Sequence, residues 1–423
     1  MSALLIRGGM LVTPHGAARG DVLIEGETIA AVGPSLPRAR AARVVDADGL
    51  LVLPGLVDPH VHLREPGGEH KEDLTSGTAA ALAGGFTAVL AMPNTNPPLT
   101  NRAALEHAMH LARDKALCDV GFFVGATADN AGEAAALSQA VGLKVYMEAT
   151  TGDLLVNDPA ALTAHFGTYP HERPLAVHAE GEMLALALDL AGRFRRRLHV
   201  CHVSTGADLA LIRAARQRGV RVTCEVTPHH LFLSTADLKE LGPLGEVRPP
   251  LRPPSDGAAL WTGLAEIDCL ATDHAPHTLA EKRSAQPPAG LPGLETALPL
   301  LLTATAEGKL TLEELVERMA EAPARIYGLS GKGCLAPGCD GDLVLVDPAA
   351  RWRLGERPFH TRCGWSPYAG RAVQGRVEAV FLRGRLAYAQ GRVLSTPGAG
   401  RLLQPSSGNA ASVAAAPAPK TSP

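Results

Sequence analysis

The sequence lacks the features by which membrane-spanning, secreted and nucleic-acid-binding proteins are usually recognised. No apolar run approaches the roughly 18 residues that a membrane-spanning helix needs. The opening stretch MSALLIRGGMLVTPHG has no continuous apolar core before a cleavage site, so we expect no signal peptide. The formal net charge of −3 gives no reason to expect nucleic acid or an anionic membrane as a partner. With 46% hydrophobic and 20% charged residues, the composition is typical of a soluble globular enzyme.

Paired cysteine motifs are also absent. No CxxC pair occurs, and the seven cysteines are an odd number scattered through a long chain. They are Cys118, Cys201, Cys224, Cys269, Cys334, Cys339 and Cys363. This distribution indicates a reducing compartment rather than a disulfide scaffold, and we expect a cytoplasmic protein.

The two ends of the 423-residue chain have the pattern of short β-strands. Residues 1–52 contain DVLIEGETIAAVG, and residues 336–395 contain GDLVLVDP and VEAVFLRGRLAYAQGRVL, in which apolar residues alternate between Gly and Asp turns. We predict that these two segments pair into one small β-sandwich domain. Residues 396–423 are rich in Pro, Ser, Ala and Gly, which predicts a disordered tail.

The middle of the chain, residues 53–335, alternates apolar runs with Ala- and Leu-rich helical stretches. There are eight such runs: LLVLPGLVDPHVHL, FTAVLAMPN, DVGFFVGAT, GLKVYMEAT, PLAVHAE, LHVCHVST, VRVTCEVTP and IDCLATDHAPH. Buried parallel strands are continuously apolar, so eight β-α units predict an α/β fold of the (β/α)8 TIM-like barrel type. Polar side chains stand at the C-terminal ends of the runs, which is the face where barrel enzymes build their active sites.

A group of histidines and one aspartate at these strand ends indicates a metal centre. His60 and His62 are two residues apart on one strand, so both imidazoles can reach the same ion. His178, His202 and Asp273 each follow a further apolar run. Taken singly, each histidine is as well explained by a structural role and Asp273 by a helix N-cap, but their common position at strand ends favours a metal site.

Lys144 stands at the end of another run, GLKVYM, where an unmodified ammonium would be desolvated and close to cations. One interpretation is a lysine whose ammonium reaches out to solvent. The other is that CO2 adds to the neutral amine, and the resulting carbamate bridges two metal ions.

An ordered series of motifs resembles the dihydroorotases of the amidohydrolase superfamily. The motifs are HVHLREPG, AMPNTNP, GLKVY, VHAE, CHVS, CEVTPHHLFL, VRPPL, ATDHAPH and GLPGLET, between about Pro54 and Tyr327. The resemblance is closest to the class I subgroup that includes the dihydroorotase domain of the animal multifunctional pyrimidine enzyme.

The resemblance implies roles for the matching positions. It implies two zinc ions, one bound by His60, His62 and Asp273, the other by His178 and His202, with carboxylated Lys144 bridging both. It also implies a set of substrate-binding positions: Arg64, Asn94 and His277 for the substrate carboxylate, Arg248 nearby, Pro292 and Gly293 by their backbone, and Thr150 and Thr151 on a flexible loop. Some family members use an aspartate in place of the modified lysine, and Asp153 lies close to Lys144 in sequence. Cys201 and Glu225 could support a further metal or be buried structural residues, and His229 and His230 are expected to be structural.

Arg64 indicates which substrate is bound, because several members of this superfamily share the same metal chemistry on different cyclic amides. A guanidinium binds a carboxylate through two hydrogen bonds, and dihydroorotate carries a ring carboxylate that hydantoins and dihydropyrimidines need not have. Arg64 lies two residues after His62 and so points toward the same pocket. Allantoinases resemble HxHxNEPG at this position, with Asn in place of Arg. The alternative is a surface salt bridge of Arg64 with Glu65 or Glu69.

These expectations combine into one hypothesis, reversible hydrolysis of (S)-dihydroorotate to N-carbamoyl-L-aspartate in pyrimidine (UMP) biosynthesis. In it a metal-bridging hydroxide attacks the ring amide, and Asp273 carries the proton to the leaving nitrogen. The alternatives are a hydantoinase or dihydropyrimidinase, and a catalytically silent scaffold paralogue of a pyrimidine enzyme. A homodimer and association with aspartate carbamoyltransferase are possible, and no nucleic-acid or membrane partner is expected.

Overall fold

The structure, a computed structural model, describes residues 3–38, 41–150 and 152–405. The chain begins with five strands: β1 (Ala3–Thr13), β2 (Gly16–Glu25), β3 (Thr28–Gly33), β4 (Arg43–Asp46) and β5 (Leu51–Pro54). The barrel strands follow: β6 (Leu56–Val61), β7 (Phe86–Ala91), β8 (Asp119–Phe122), β9 (Val124–Gly125), β10 (Leu143–Tyr146), β11 (Leu175–His178), β12 (Leu198–Val200), β13 (Val222–Val226) and β14 (Cys269–Leu270). The chain continues into four more strands: β15 (Leu343–Arg353), β16 (Ala372–Leu382), β17 (Arg385–Ala389) and β18 (Arg392–Val393).

Helices alternate with the barrel strands and cover them. They are α1 (Leu74–Ala83), α2 (Arg102–Lys115), α3 (Ala131–Ala136), α4 (Pro159–Thr168), α5 (Gly181–Arg193), α6 (Gly206–Gln217), α7 (Pro228–Phe232), α8 (Leu238–Leu241), α9 (Pro254–Thr262), α10 (Leu279–Lys282), α11 (Leu294–Ala306), α12 (Leu312–Val316) and α13 (Ala322–Tyr327). Helix α2 shows why they form: the side chain of Asn101 caps its N-terminus, and it buries Leu105, Ala108, Met109 and Ala112, which lie on one helical face. Among the described residues, none of the helices is long and apolar enough to cross a membrane.

The (β/α)8 barrel predicted from the eight apolar runs is confirmed. All pairings among β6–β7–β8 and among β9–β10–β11–β12–β13–β14 are parallel, and Phe123 alone separates β8 from β9. The barrel closes where the N–H of His62 donates to the carbonyl of His274, at 2.7 Å. Because the strands are buried on both faces, their sequences are continuously apolar up to the polar residues at their ends.

The two ends of the chain pair into one small β domain, as predicted. Its nine strands form one hydrogen-bonded sheet, in which β5 pairs antiparallel with β15 and so joins the N-terminal and C-terminal segments. Side chains alternate between the two faces of β5: Leu51 and Leu53 pack in the barrel cluster, and Val52 packs in the core of the small domain. The sheet is therefore fixed to the barrel by one of its faces. Strand β5 crosses the domain boundary that we placed after residue 52.

Two features differ from the sequence expectations. A disordered tail was predicted from residue 396, but residues 399–403 run along β8, where the N–H of Val120 donates to the carbonyl of Arg401 and the N–H of Leu403 donates to that of Val120, both at 2.9 Å. Leu402 packs against the barrel core, so this segment is ordered by backbone pairing that its composition does not indicate. The remainder of the predicted tail, 406–423, lies outside the described residues.

The second difference concerns cysteine. Cys334 and Cys339 form a disulfide in the turn between α13 and β15, whereas the cysteine distribution indicated a reducing compartment rather than a disulfide scaffold. Their Cα atoms are 6.2 Å apart because the turn is tight, and a spacing of five residues carries no recognisable signal for this closure. The other five cysteines are free thiols.

Candidate metal centre and substrate pocket

The strand ends of the barrel surround one pocket of about 360 Å³. It is lined by His60, His62, Arg64, Asn94, Tyr146, Thr150, His178, His202, Arg248, Asp273, Ala275, Ala289 and Gly290. All five of the predicted histidine and aspartate ligands are in this set. Their convergence follows from the topology, because the C-terminal ends of parallel barrel strands open on one face.

His60, His62 and Asp273 form a first group of donor atoms. Oδ1 of Asp273 lies 3.1 Å from Nε2 of His62 and 3.4 Å from Nε2 of His60. Ligands at 2.0–2.1 Å from a tetrahedral zinc ion lie about 3.3 Å from one another, so both distances to Asp273 fit ligands of a shared ion. Donor atoms of His60, His202 and Asp273 also lie within 4.8 Å of one another. Although burial alone would raise it, His60 and His62 hold the pKa of Asp273 well below its usual range, which keeps the carboxylate ionised.

His178 and His202 form a second group. Nδ1 of His178 faces Nε2 of His202 at 2.9 Å, and the ring centroids are 4.6 Å apart. Burial first, and then the nearby ammonium of Lys144, lower the pKa of His178 to about 3. Burial and the neighbouring His178 likewise lower the pKa of His202 well below its ordinary value. Both imidazoles are therefore neutral, which is the form that binds metal.

Lys144 lies among these donors and has no access to solvent. Its Nζ is 2.9 Å from Sγ of Cys201 and 5.1 Å from the centre of the Tyr146 ring. The structure therefore contradicts the interpretation in which the ammonium of Lys144 reaches solvent. A buried ammonium beside imidazoles opposes the binding of cations, whereas a carbamate on the same nitrogen would carry a negative charge to them. Asp153, the alternative acid, is exposed and does not line the pocket.

Glu225 of β13 orients His60 through Nδ1, the ring nitrogen that does not face Asp273. It is fully buried, and its carboxylate contacts Nδ1 of His60 at 2.5 Å and Nε2 of His199 at 3.0 Å, and it accepts the N–H of His202 at 3.2 Å. Although burial would raise it, His60 and His199 hold the pKa of Glu225 well below its usual range. A carboxylate on the second nitrogen of a metal-binding histidine fixes the ring and its tautomer. Donor atoms of His60, Cys201 and Glu225 also lie within 4.8 Å of one another, so the further metal site considered from the sequence stays a prediction.

Two further residues hold the ligand strands in register. Asp58 is buried between the ends of β6 and β14, where it accepts from Oγ1 of Thr272 at 2.5 Å and from the N–H of His60 at 3.1 Å. His274 contacts Glu72 at 3.3 Å through Nε2 and accepts the N–H of Gly293 at 3.1 Å through Nδ1.

His230 contacts Thr227 and the carbonyl of Pro249 and lines no part of the pocket, in accord with a structural role.

Arg64 is buried at the edge of the pocket and is held by the protein. Its Nε donates to the carbonyl of Pro276 at 3.1 Å, and its Nη2 lies 3.0 Å from Nε2 of His277. The backbone of Arg64 has a φ of 61°, and His202 and Asp273 also have positive φ, at 37° and 46°. Such conformations cost on the order of 1–3 kcal/mol each in residues other than glycine and persist where the surrounding structure requires them. Two of the metal-donor positions, and Arg64 beside them, are thus held in strained backbone.

The structure divides the predicted substrate-binding residues into two sets. Arg64, Asn94, Arg248 and Thr150 line the pocket, and the Asn94 side-chain oxygen also contacts Nδ1 of His62 at 2.6 Å. The residues that do not line it are His277, which lies behind Arg64, and Pro292 and Gly293, which face a separate cavity of about 170 Å³. Thr151 lies outside the described residues.

Ala289 and Gly290 form the wall for which we expected Pro292 and Gly293, and Tyr146 and Ala275 complete it; the sequence analysis did not single out these four. The loop is held by Lys282, whose Nζ donates to the carbonyls of Glu246, Pro288 and Gly290 at 2.8, 3.0 and 3.0 Å. A Cβ on Gly290 would lie 2.5 Å from the carbonyl oxygen of Ala275, so only glycine fits there. That glycine was the one signal in the sequence that could have located the wall.

Comparisons with known proteins agree with this architecture. The family model described as "Amidohydrolase family" matches residues 51–387. The chain is 46% identical over 377 residues to "Multifunctional protein CAD" of Squalus acanthias, and this alignment covers 89% of the chain and 16% of that protein. It is 36% identical to a protein of Pelobacter propionicus named "Dihydroorotase", covering 91% of this chain and 99% of that one. The chain spans about a sixth of the multifunctional relatives it matches.

Solved structures with the same fold include the L-hydantoinase of Arthrobacter aurescens and the dihydropyrimidinase of Brevibacillus agri. Both have a TM-score of 0.89 with this chain, at 28% and 27% sequence identity, and each comparison covers 96% of the chain. The covered share of the two neighbours is 100% and 99%.

Proposed function

The chain belongs to the amidohydrolase family, and we propose that it is a dihydroorotase, which interconverts dihydroorotate and N-carbamoyl-L-aspartate. The observation that carries this proposal is the position of Arg64, a buried guanidinium beside the two groups of metal donors. A buried positive charge is costly unless a negative charge compensates it, so the pocket is suited to a substrate that brings its own anion. The ring carboxylate of dihydroorotate is such an anion.

The donor groups suit two divalent ions, which we propose to be zinc. His60, His62 and Asp273 would hold one, His178 and His202 the other, and carboxylated Lys144 would bridge them. When bound, such ions supply a water of lowered pKa and polarise the amide carbonyl. The fit rests on the distances from Oδ1 of Asp273 to Nε2 of His60 and to Nε2 of His62, and on the two facing nitrogens of His178 and His202.

The remaining chemistry belongs to the chain itself. Oδ1 of Asp273 lies at the centre of the first donor group and is ionised, so it can accept a proton from the attacking water and return it to the leaving ring nitrogen. Arg64 would bind the ring carboxylate, with Asn94 and Arg248 on the same pocket wall. The hydrogen bond of Arg64 to the carbonyl of Pro276 and its contact with His277 fix its direction before substrate arrives, which lowers the entropy cost of binding.

A hydantoinase or dihydropyrimidinase is the second candidate, favoured by the two solved structures with the same fold. That similarity is one of fold, over 96% of the chain, at 28% and 27% sequence identity. Two observations favour the dihydroorotase: the 36% identity to the Pelobacter protein over nearly its whole length, and a buried arginine whose positive charge a ring without a carboxylate would not compensate.

Three further predictions concern the cellular setting. A cytoplasmic location, a homodimer, and association with aspartate carbamoyltransferase stay predictions from the sequence. A silent scaffold paralogue would be expected to have lost metal donors, whereas the four histidines and Asp273 all line the pocket of this chain, with Lys144 buried nearby.

The test is to follow ring closure of N-carbamoyl-L-aspartate by the metal-loaded protein and by its Arg64→Met variant. Removing one partner of a buried charge pair costs about 2–5 kcal/mol, so kcat/KM should fall by roughly 30-fold to several thousandfold. Metal content should be unchanged, because Arg64 is not a ligand. Arg385→Met is the matched control, since Arg385 is exposed on β17. Wild-type kcat/KM in the Arg64 variant, or no turnover by the metal-loaded protein, would contradict the proposal.

A further inference from the structure

A second cavity, of about 550 Å³, lies between the small β domain and the barrel helices, away from the strand ends that carry the metal donors. One side is formed by Trp352 of β15, Arg376 of β16 and Tyr388 of β17, and the other by Glu295 and Pro299 of α11. This volume includes the part of the cavity that opens to solvent. Pockets for small molecules often lie where two domains meet, so the position of this cavity fits a ligand site.

Aromatic side chains are concentrated in its walls. Trp352, Phe359 and Tyr388 all line it, in a chain of which Phe, Trp and Tyr make up only 4%. The indole N–H of Trp352 is bonded to the carbonyl of Gly375 at 3.0 Å, which fixes the orientation of the ring. Rigid aromatic walls of this kind are suited to a flat ring, which they bind by stacking or edge-on contact.

Charged groups of both signs complete the lining. Arg357 is exposed at the rim, and Arg376 contacts Glu378 at 2.7 Å through Nε, which leaves the outer nitrogens of its guanidinium to other partners. Glu295 accepts the backbone N–H groups of His360 at 2.9 Å and Thr361 at 3.0 Å. Each carboxylate oxygen can accept more than one hydrogen bond, so Glu295 can still receive a hydroxyl or a ring N–H from a ligand.

We propose that this interdomain cavity binds a nucleoside monophosphate. The base lies against Trp352, Phe359 and Tyr388, a ribose hydroxyl or base N–H donates to Glu295, and the phosphate contacts Arg357 and Arg376. A flat ring, a hydrogen-bond donor and an anionic group are the three parts that these walls select. Stacking tolerates any base, so both purine and pyrimidine nucleotides are expected to bind.

The test is isothermal titration calorimetry of the full, metal-loaded chain with AMP and with UMP, and with adenosine, uridine and inorganic phosphate as partial ligands. Each nucleotide should bind with a Kd below about 1 mM and at least about tenfold more tightly than its nucleoside or phosphate alone. Trp352→Leu and Arg357→Ala should each weaken binding by about tenfold or more. Arg357 is exposed, so its variant is expected to fold even where the tryptophan variant does not.

Two controls locate the bound nucleotide. Arg385→Ala, an exposed arginine of β17 that does not line the cavity, should bind as the wild type does. Arg64→Met should also retain binding, because the substrate pocket is separate. Absence of binding by both nucleotides, binding no tighter than that of phosphate, or binding lost in Arg64→Met and kept in Arg357→Ala would overturn the proposal. The readout is heat of binding, so its outcome does not depend on the reaction that the metal centre catalyses.

Discussion

Substitution of Glu225 is a specific way to perturb the metal centre, because Glu225 contacts the metal-binding histidines but is not one of the residues proposed to hold the two ions. Its carboxylate is fully buried and joins His60 of β6, His199 of β12 and the backbone of His202. Glu225→Gln keeps the volume of the side chain but replaces one acceptor oxygen by a donor. One of the two imidazoles then faces an N–H group and must change its tautomer or turn away.

The expected magnitude follows from these contacts. Loss of a residue that orients a metal ligand usually lowers metal affinity by about 10–100-fold, which corresponds to about 1.4–2.7 kcal/mol. The contact with His60 is short and charge-assisted, and such hydrogen bonds contribute about 1.5–3 kcal/mol, in the same range. We therefore expect Glu225→Gln to bind zinc 10–100-fold more weakly than the wild type.

The measurement is competition for zinc with a chelator of known affinity, at fixed pH, with folding of the metal-free protein checked by circular dichroism. Glu182→Gln is the matched control, because Glu182 is exposed on α5. An unchanged zinc affinity in folded Glu225→Gln, or an equal loss in Glu182→Gln, would refute the role that the geometry gives to Glu225.

Three further changes have defined outcomes. Asp273→Asn should lower kcat by at least about 100-fold while substrate still binds, measured by steady-state kinetics and calorimetry; a kcat near that of wild type would remove Asp273 from proton transfer. Lys282→Met leaves the carbonyls of Pro288 and Gly290 without this donor, whereas that of Glu246 keeps the N–H of Gly290, and each such loss costs about 1–3 kcal/mol; denaturant unfolding should therefore show a loss of about 2–6 kcal/mol, whereas wild-type stability would contradict the role of Lys282 in holding the pocket loop. Burial, with a smaller contribution from Glu72, raises the pKa of Glu295 from its ordinary value of 4.5 to about 7. Between these two pH values the carboxyl group of Glu295 is protonated in the folded protein and ionised in the unfolded chain. Stability should therefore fall as pH rises from about 4.5 to 7, and Glu295→Gln should reduce this fall in thermal unfolding experiments; identical pH profiles for variant and wild type would contradict the shift.

The barrel and its metal donors could be predicted from the sequence because both follow from periodicity. Continuous apolar runs indicate buried parallel strands, and topology then brings the residue after each run to one face. His60, His178 and Asp273 are therefore close in space although they are far apart in the chain. The pairing of the two chain ends was predictable for the same reason, since alternating residues indicate half-buried strands.

Contacts that depend on loop conformation could not be predicted in this way. Ala289 and Gly290, rather than Pro292 and Gly293, form the wall of the pocket. The loop is held there because Lys282 donates to two carbonyls of the loop and to that of Glu246, and no sequence pattern identifies these contacts. The ordered segment along β8 likewise depends on backbone hydrogen bonds, which composition does not report. Glu225 has the sequence context of any buried strand residue, and only the positions of its histidine partners show what it does.

The most direct test of the central claim is to compare dihydroorotate with dihydrouracil as substrates of the same metal-loaded preparation. The two rings share the amide that is cleaved, and only dihydroorotate has a carboxylate for Arg64. A pocket built around a buried guanidinium should favour dihydroorotate by at least about 100-fold in kcat/KM. Equal or faster turnover of dihydrouracil would contradict the claim and would assign the chain to the dihydropyrimidinases instead.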